Sequence, residues 1–449
     1  MANYNSDFIL KKQLESLSSI DKEYWSFRGK AIRENTHAYF QYPAMMVPQM
    51  QSALIENILK VEPDIKNILD PFVGSGTVMT EVMIKGLNFA GQDINPLSIL
   101  LCQAKKGPFD FDTLKDRVNS LLDKINKDKK HKIEIEFNGM SKWFKQDVSI
   151  ELSKIRRAIK AEELLWVRRF FWVALAETIR LTSNSRTSTF KLHIRPIEEI
   201  KKRNLSPIKV FAEVLGRNLS KYANQKSILE ERNLLKNGSY IGDISIELGN
   251  SSKNIPLNSL GKYDLLITSP PYGDNKTTVP YGQCAYLPLH WIELKDIDPE
   301  LDNSWLSSTW EIDSRSLGGK KSGALIKAEK LFDISTSFKS IIKKLKNESS
   351  DRINKVAAFC YDLDSCIDPI FSALKSNACM VWIIGNRHVA RHKIPLDDIV
   401  ADLIIARGGK VVTKLQRKIP SKRMAVRNNI ADTMGTETIL IMRKGEADA

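Results

Sequence analysis

At 449 residues, 42% of them apolar, the chain has the composition of a globular protein large enough for two or three domains, which excludes a disordered or low-complexity chain. Its net charge of +15 is unevenly spread: residues 141–236 hold 21 Lys/Arg against 10 Asp/Glu, and residues 410–429 add seven basic residues and no acidic one, so a polyanionic partner is expected. Five cysteines without a CxxC pair and six scattered histidines point to reduced thiols and no metal. With no signal-peptide pattern and no apolar run near the ~20 residues of a membrane span, the expected location is the cytoplasm.

In chain order, residues 1–40 read as a polar lead-in with helical patches, followed by Gln41-Tyr42-Pro43. Met50, Ala53, Leu54, Ile58 and Leu59 recur at helical spacing and predict a helix over 49–60. A strand over 67–70, a glycine-rich turn over 71–77, a helix over 78–85 and a second strand from Asn88 to Gln92-Asp93 follow. A strand, glycine turn and helix with an acid about 20 residues on is the βαβ arrangement that binds a nucleotide-like cofactor. The glycines let the backbone approach the ligand, and the acid accepts hydrogen bonds from ribose hydroxyls. The missing G-x-G-x-x-G weakens the case for a dinucleotide, and no Gly-Lys-Ser/Thr follows, so a Walker loop is excluded.

From Leu101 to about Lys236 the α/β rhythm stops. Residues 151–181 predict one long helix or two in succession, and the hydroxyl-rich stretch 182–191 suits phosphate contacts, with Arg186, Lys191 and Arg195 as candidates. The whole region reads as a helical insertion carrying most of the positive charge. The α/β pattern resumes near residues 239–243, a short stretch ending in Asp243, and continues over 263–268. There the apolar Leu265-Leu266-Ile267 predicts a buried strand, which Pro270-Pro271 ends as a rigid turn. Residues 273–283, with Lys276, read as a mobile polar loop, and residues 293–330 as a second irregular stretch. A helix over 362–375, a strand over 378–384 and a helix over 396–406 follow. The last two strands, 410–418 and 436–442, can pair antiparallel and close an otherwise parallel sheet.

Taken together, Asp70-Pro71-Phe72-Val73-Gly74-Ser75-Gly76-Thr77, Asp93 and Thr268-Ser269-Pro270-Pro271-Tyr272 resemble the amino-directed DNA methyltransferases, which methylate cytosine N4 or adenine N6. The resemblance implies an α/β fold: a mostly parallel Rossmann-like methyltransferase sheet with an antiparallel C-terminal hairpin and a large helical insertion. It implies S-adenosyl-L-methionine as cofactor, held by Asp70, Phe72, Gly74, Gly76, Thr77, Asp93 and Asp243, with Tyr42 and Pro43 touching it from the segment before the turn. Residues 1–100 would form a lead-in and the cofactor half of the methyltransferase domain, 101–236 the target-recognition insertion, and 237–449 the catalytic half.

An exocyclic amino group is a poor nucleophile, because its lone pair is delocalised into the ring. In the resemblance, the Ser269 side chain and the Pro270 carbonyl accept its hydrogens, Pro271 stiffens the turn, and Tyr272 stacks on a base flipped out of the duplex. Serine before the prolines is commoner among cytosine-N4 enzymes, whereas adenine-N6 enzymes usually carry Asp or Asn, so cytosine N4 is the expected target and adenine N6 the alternative. The implied partner is double-stranded DNA, gripped in part by Lys422 and Arg423, in a nucleoid-associated setting with a cognate restriction endonuclease or defence subunit. An RNA or protein methyltransferase and a catalytically silent DNA-binding subunit stay open as further readings.

Overall fold

The computed structural model describes residues 2–256, 261–419 and 435–446. Seven strands form one sheet: β1 (Asn67–Asp70), β2 (Asn88–Asp93), β3 (Ile244–Leu248), β4 (Tyr263–Thr268), β5 (Leu374–Gly385), β6 (Lys410–Lys418) and β7 (Thr436–Arg443), in the order β6-β7-β5-β4-β1-β2-β3. β7 runs antiparallel to both neighbours, while the pairs from β5 to β3 are parallel. This is the mostly parallel sheet with an antiparallel C-terminal hairpin that the sequence leads one to expect.

The period-two alternation of the strands divides the interior. Ile68, Phe89, Leu265, Ile267, Val381 and Ile439 enter the core on one face. Their neighbours Leu69, Ala90, Leu266, Met380, Trp382 and Leu440 enter the core on the other. A one-residue slip in any strand would exchange the two sets, so burial on both faces fixes the register. The first face is covered by α1 (Ala2–Ile20), α2 (Pro48–Val61), α3 (Thr77–Ile84), α4 (Pro96–Lys105), α5 (Phe111–Lys127), α6 (Gln146–Lys160), α7 (Leu165–Thr182), α8 (Pro207–Glu231) and α9 (Tyr281–Trp291). The second is covered mainly by α10 (Ser350–Ala373) and α11 (Leu396–Ile405). Among the described residues, no helix is long and apolar enough to cross a membrane.

Several elements depart from the sequence reading. The polar lead-in contains a 19-residue helix, α1, whose Leu10 and Leu14 are fully buried and whose Asp7 pairs with Arg443 of β7. Residues 151–181 belong to two helices, and the break between α6 and α7 is marked by the Leu164 N–H bonding the Glu162 side chain at 3.0 Å instead of a helical carbonyl. The helix expected over 362–375 begins at Ser350. Residues 239–243 do not belong to the seven-stranded sheet: Ser239–Tyr240 pairs with Leu235–Lys236 in a small two-stranded hairpin, and the strand of the large sheet is β3, whose apolar Ile244, Ile246 and Leu248 alternate with polar residues. The loop expected to be mobile is pinned. Asp274 and Asn275 are buried, and Arg387 Nη1 donates to Asp274 Oδ1 and Thr277 Oγ1 at 2.9 Å each.

The basic helical region is also less exposed than its charge count implies. α5 to α8 share one core with the sheet face, and much of their charge is neutralised within the protein. Arg156 pairs with Glu293, Arg157 with Asp128 and Glu134, and Arg168 with Asp296.

Candidate active site

β1 lies between β2 and β4, so the chain leaves β1 to build one side of the sheet and returns to build the other. A crevice opens at the carboxyl ends of strands at such a switch point. Asp70 ends β1 and Thr268 ends β4, and Thr268 Oγ1 donates to Asp70 Oδ1 at 2.6 Å across the switch. The Phe72 N–H adds a second bond to the same oxygen at 3.1 Å. The other oxygen, Oδ2, is buried and has no hydrogen-bond partner among the described residues. Burial pushes the Asp70 carboxyl up to about 7 despite these donors. A buried carboxylate with one open oxygen is suited to a cation.

The glycine turn wraps over this acid. Gly74 and Gly76 have φ of +51° and +74°, and a Cβ on Gly76 would stand 2.8 Å from Cys102 Sγ. Gly76→Ala combines that clash with a left-handed backbone, so it is expected to destabilise the protein by about 1–2 kcal/mol or more, read as a lowered Tm. Asp93 at the end of β2 holds the turn in place. Its Oδ2 accepts the Gly74 N–H at 2.9 Å and its Oδ1 accepts the Asn95 N–H at 2.8 Å. Burial raises Asp93 to about 6, against the pull of those backbone donors. Tyr42 packs against Gly74, stacks on Tyr281 with ring centroids 5.7 Å apart, and shares a 2.7 Å hydrogen bond with Ser98. Tyr42, Phe72, Gly74, Thr77 and Asp93 line the cleft, whereas Pro43, the fully buried Asp70 and Gly76 do not.

Ser269, Pro270, Pro271 and Tyr272 line the same cleft. The Ser269 hydroxyl donates to the Ile383 carbonyl at 3.1 Å and lies 3.1 Å from the Tyr272 hydroxyl. Tyr272 in turn donates to Glu437 Oε1 at 3.0 Å, and Arg417 Nε holds Glu437 Oε2 at 2.6 Å. Burial first, and the Glu437 carboxylate second, hold the Tyr272 phenol well above its usual range, so it stays protonated. Sequence reasoning missed Arg417 and Glu437. They are direct cross-strand partners on β6 and β7, and the only local signal was a charged residue on each strand at a position that turns inward.

Asp243 is not brought to the site. Its carbonyl accepts the Phe89 N–H at 2.8 Å at the start of β3, and because β3 runs parallel to β2 the cleft lies at the opposite end of the strand. The residues that reach the cleft there are Leu248 to Asn254, with Ser251 Oγ donating to the Pro71 carbonyl at 2.7 Å. The polar run after an alternating strand was the signal for them.

The cleft measures ≈ 3330 Å³, and among the described residues its lining holds 15 Lys/Arg against 6 Asp/Glu. Arg186, Lys191 and Lys276 are among them. Arg195 is not, and instead reaches Glu199 at 3.5 Å. Lys422 and Arg423 lie outside the described residues. Basic residues that sequence reasoning did not single out also line the cleft, including Arg28 and Lys30 before α2 and Lys320, Lys327 and Lys355 further on.

The family model of the D12 class N6 adenine-specific DNA methyltransferases matches residues 51–206. The type II methyltransferase M.MvaI of Kocuria varians is 32% identical over 432 residues, which cover 93% of this chain and 92% of that one. The chain belongs to the amino-directed DNA methyltransferases. A second methyltransferase, the type II M.MjaII of Methanocaldococcus jannaschii, is 35% identical over 101 residues, 22% of this chain and 18% of that one. The solved rRNA methyltransferase AviRa of Streptomyces viridochromogenes overlays this methyltransferase with a TM-score of 0.31 at 11% identity, covering 90% of this chain and 86% of that one, too slight a likeness to argue from. The methyl donor of such methyltransferases is S-adenosylmethionine, and the chain fits it at Asp70, whose buried Oδ2 has no hydrogen-bond partner among the described residues and suits an ammonium group.

Proposed function

We propose that this methyltransferase methylates the exocyclic amino group of a base flipped out of double-stranded DNA, and that the base is cytosine, modified at N4. The observation that carries the reading is the Thr268–Asp70 hydrogen bond of 2.6 Å, which joins the Ser-Pro-Pro-Tyr turn to the acid beneath the glycine turn. Bound there, S-adenosylmethionine supplies an electrophilic methyl group. Asp70 would hold its ammonium group, Asp93 its ribose hydroxyls, and the Leu248–Asn254 segment would replace Asp243 as the wall beside its adenine.

The chain's own residues do the rest by binding and orientation. Ser269 and the Pro270 carbonyl accept the two amino hydrogens, which favours a more tetrahedral nitrogen with its lone pair directed out of the ring. The Tyr272 ring stacks on the base, worth about 1–3 kcal/mol, and no covalent intermediate is required. Pro271 keeps the turn stiff. Arg186, Lys191 and Lys276, with the other basic residues of the cleft, grip the DNA backbone, so binding should fall steeply with salt. A cognate restriction endonuclease fits the type II designation of the relatives.

Adenine N6 is a second reading, favoured by the D12 family match. The matched residues take in the glycine turn and much of the helical region but end before Thr268, so they do not reach the turn that meets the base. Mass spectrometry of nucleosides from DNA incubated with the protein and S-adenosylmethionine separates the two. N4-methylcytosine is the expected product. N6-methyladenine alone would move the assignment to adenine, and the absence of both products would refute the reading.

A further inference from the structure

We infer that Glu437, held by Arg417, is a positioning residue that keeps the Ser269 oxygen open as an acceptor by drawing the Tyr272 hydroxyl proton away from it. This rests on the function proposed above. Three oxygen-to-oxygen contacts run in series, from the Ile383 carbonyl to Ser269, from Ser269 to Tyr272 and from Tyr272 to Glu437. The two hydroxyls supply only two protons. The carbonyl at one end and the carboxylate at the other can only accept.

With both ends satisfied, the serine proton points to Ile383, the phenol proton points to Glu437, and no proton lies between Ser269 and Tyr272. Ser269 then faces the cleft with its lone pairs, as a base amino group requires. In every arrangement that keeps the Tyr272–Glu437 bond, Tyr272 cannot donate to Ser269. Glu437 cannot swing away, because Arg417 holds its second oxygen at 2.6 Å and the two side chains are only 6% and 12% exposed.

Glu437→Gln preserves size and reverses the chain. Arg417 has only donors, so it orients the glutamine oxygen toward itself and leaves the amide NH₂ facing Tyr272. The phenol oxygen must then accept, and its proton turns to Ser269, where it competes with the base for a lone pair. Glu437→Ala is a poorer probe, since it leaves Arg417 as an unpaired buried charge and threatens the fold.

The test compares kcat, KM for DNA, cofactor affinity and Tm for Glu437→Gln in the wild-type and Tyr272→Phe backgrounds. With Tyr272 present, kcat should fall about tenfold, the scale of one hydrogen bond, while KM and cofactor affinity stay within about twofold. Against a phenylalanine, which has no proton to misplace, the same substitution should lower kcat less than about twofold. An equal loss in both backgrounds would mean that Glu437 acts through packing or bulk charge, and would overturn the inference. A Glu437→Gln rate close to that of the wild type would do the same. Wild-type protein that leaves neither N4-methylcytosine nor N6-methyladenine on DNA would instead refute the functional reading beneath it, so the two failures are told apart by the control.

Discussion

Asp70→Asn is expected to weaken S-adenosylmethionine binding about ten- to a hundredfold, the range for losing a charged hydrogen-bond partner, without unfolding the protein. The native carboxyl has one oxygen engaged by Thr268 and Phe72 and one buried oxygen without a partner. Asparagine can keep the first set with its carbonyl oxygen but presents a neutral amide where the ammonium group would sit. Calorimetric titration with the cofactor measures the loss. Affinity unchanged by the substitution would remove Asp70 from the proposed cofactor site.

The same residue predicts a pH dependence. Its carboxyl sits at about 7 in the folded protein against 3.8 ordinarily, so between those values the native state holds a proton that the unfolded chain has released. Stability of the cofactor-free protein should therefore fall as pH rises through that window and level off above it, with Asp93, raised to about 6, contributing in the same direction. Asp70→Asn removes the first part, so its Tm relative to wild type should be highest above pH 7 and lose that advantage near pH 4. Cofactor binding needs the ionised form. The wild-type affinity should weaken by up to about tenfold for each pH unit below 7, a slope that Asp70→Asn should flatten.

What the sequence made legible follows from which interactions are local. β1, the glycine turn and Asp93 could be read because a buried strand, left-handed glycines and a strand-end acid each leave a mark within a few residues. The two prolines after Thr268 did the same for the end of β4. Asp243 was misplaced because an acid after a short apolar stretch looks alike at either end of a strand, and only the pairing of β3 with β2 tells which end reaches the cleft. The Arg417–Glu437 pair left only an inward-turned charge on each strand, since the pair itself exists only when β6 and β7 align in register. Charge counting overvalued the helical region for a related reason: Arg157 and Arg168 count as positive wherever they lie, but the fold sets each against carboxylates.

Ser269→Ala is the substitution with the most to say about chemistry. It removes the acceptor for one amino hydrogen and also the donor to the Ile383 carbonyl, while leaving Asp70, Asp93 and the glycine turn untouched. The expected result is a kcat about a hundredfold lower, the scale of losing one preorganised polar group at a reacting centre, with cofactor affinity within about threefold of wild type. Ser269→Thr keeps the hydroxyl and should recover most of that loss, which a purely steric role for the serine would not predict. Single-turnover methyl transfer to DNA is the measurement, because it isolates the chemical step from product release. If alanine transfers the methyl group within a few fold of wild type, the Ser269 oxygen does not activate the base. The acceptors must then be sought in the Pro270 carbonyl and in Glu437, the carboxylate that Tyr272 now screens from Ser269.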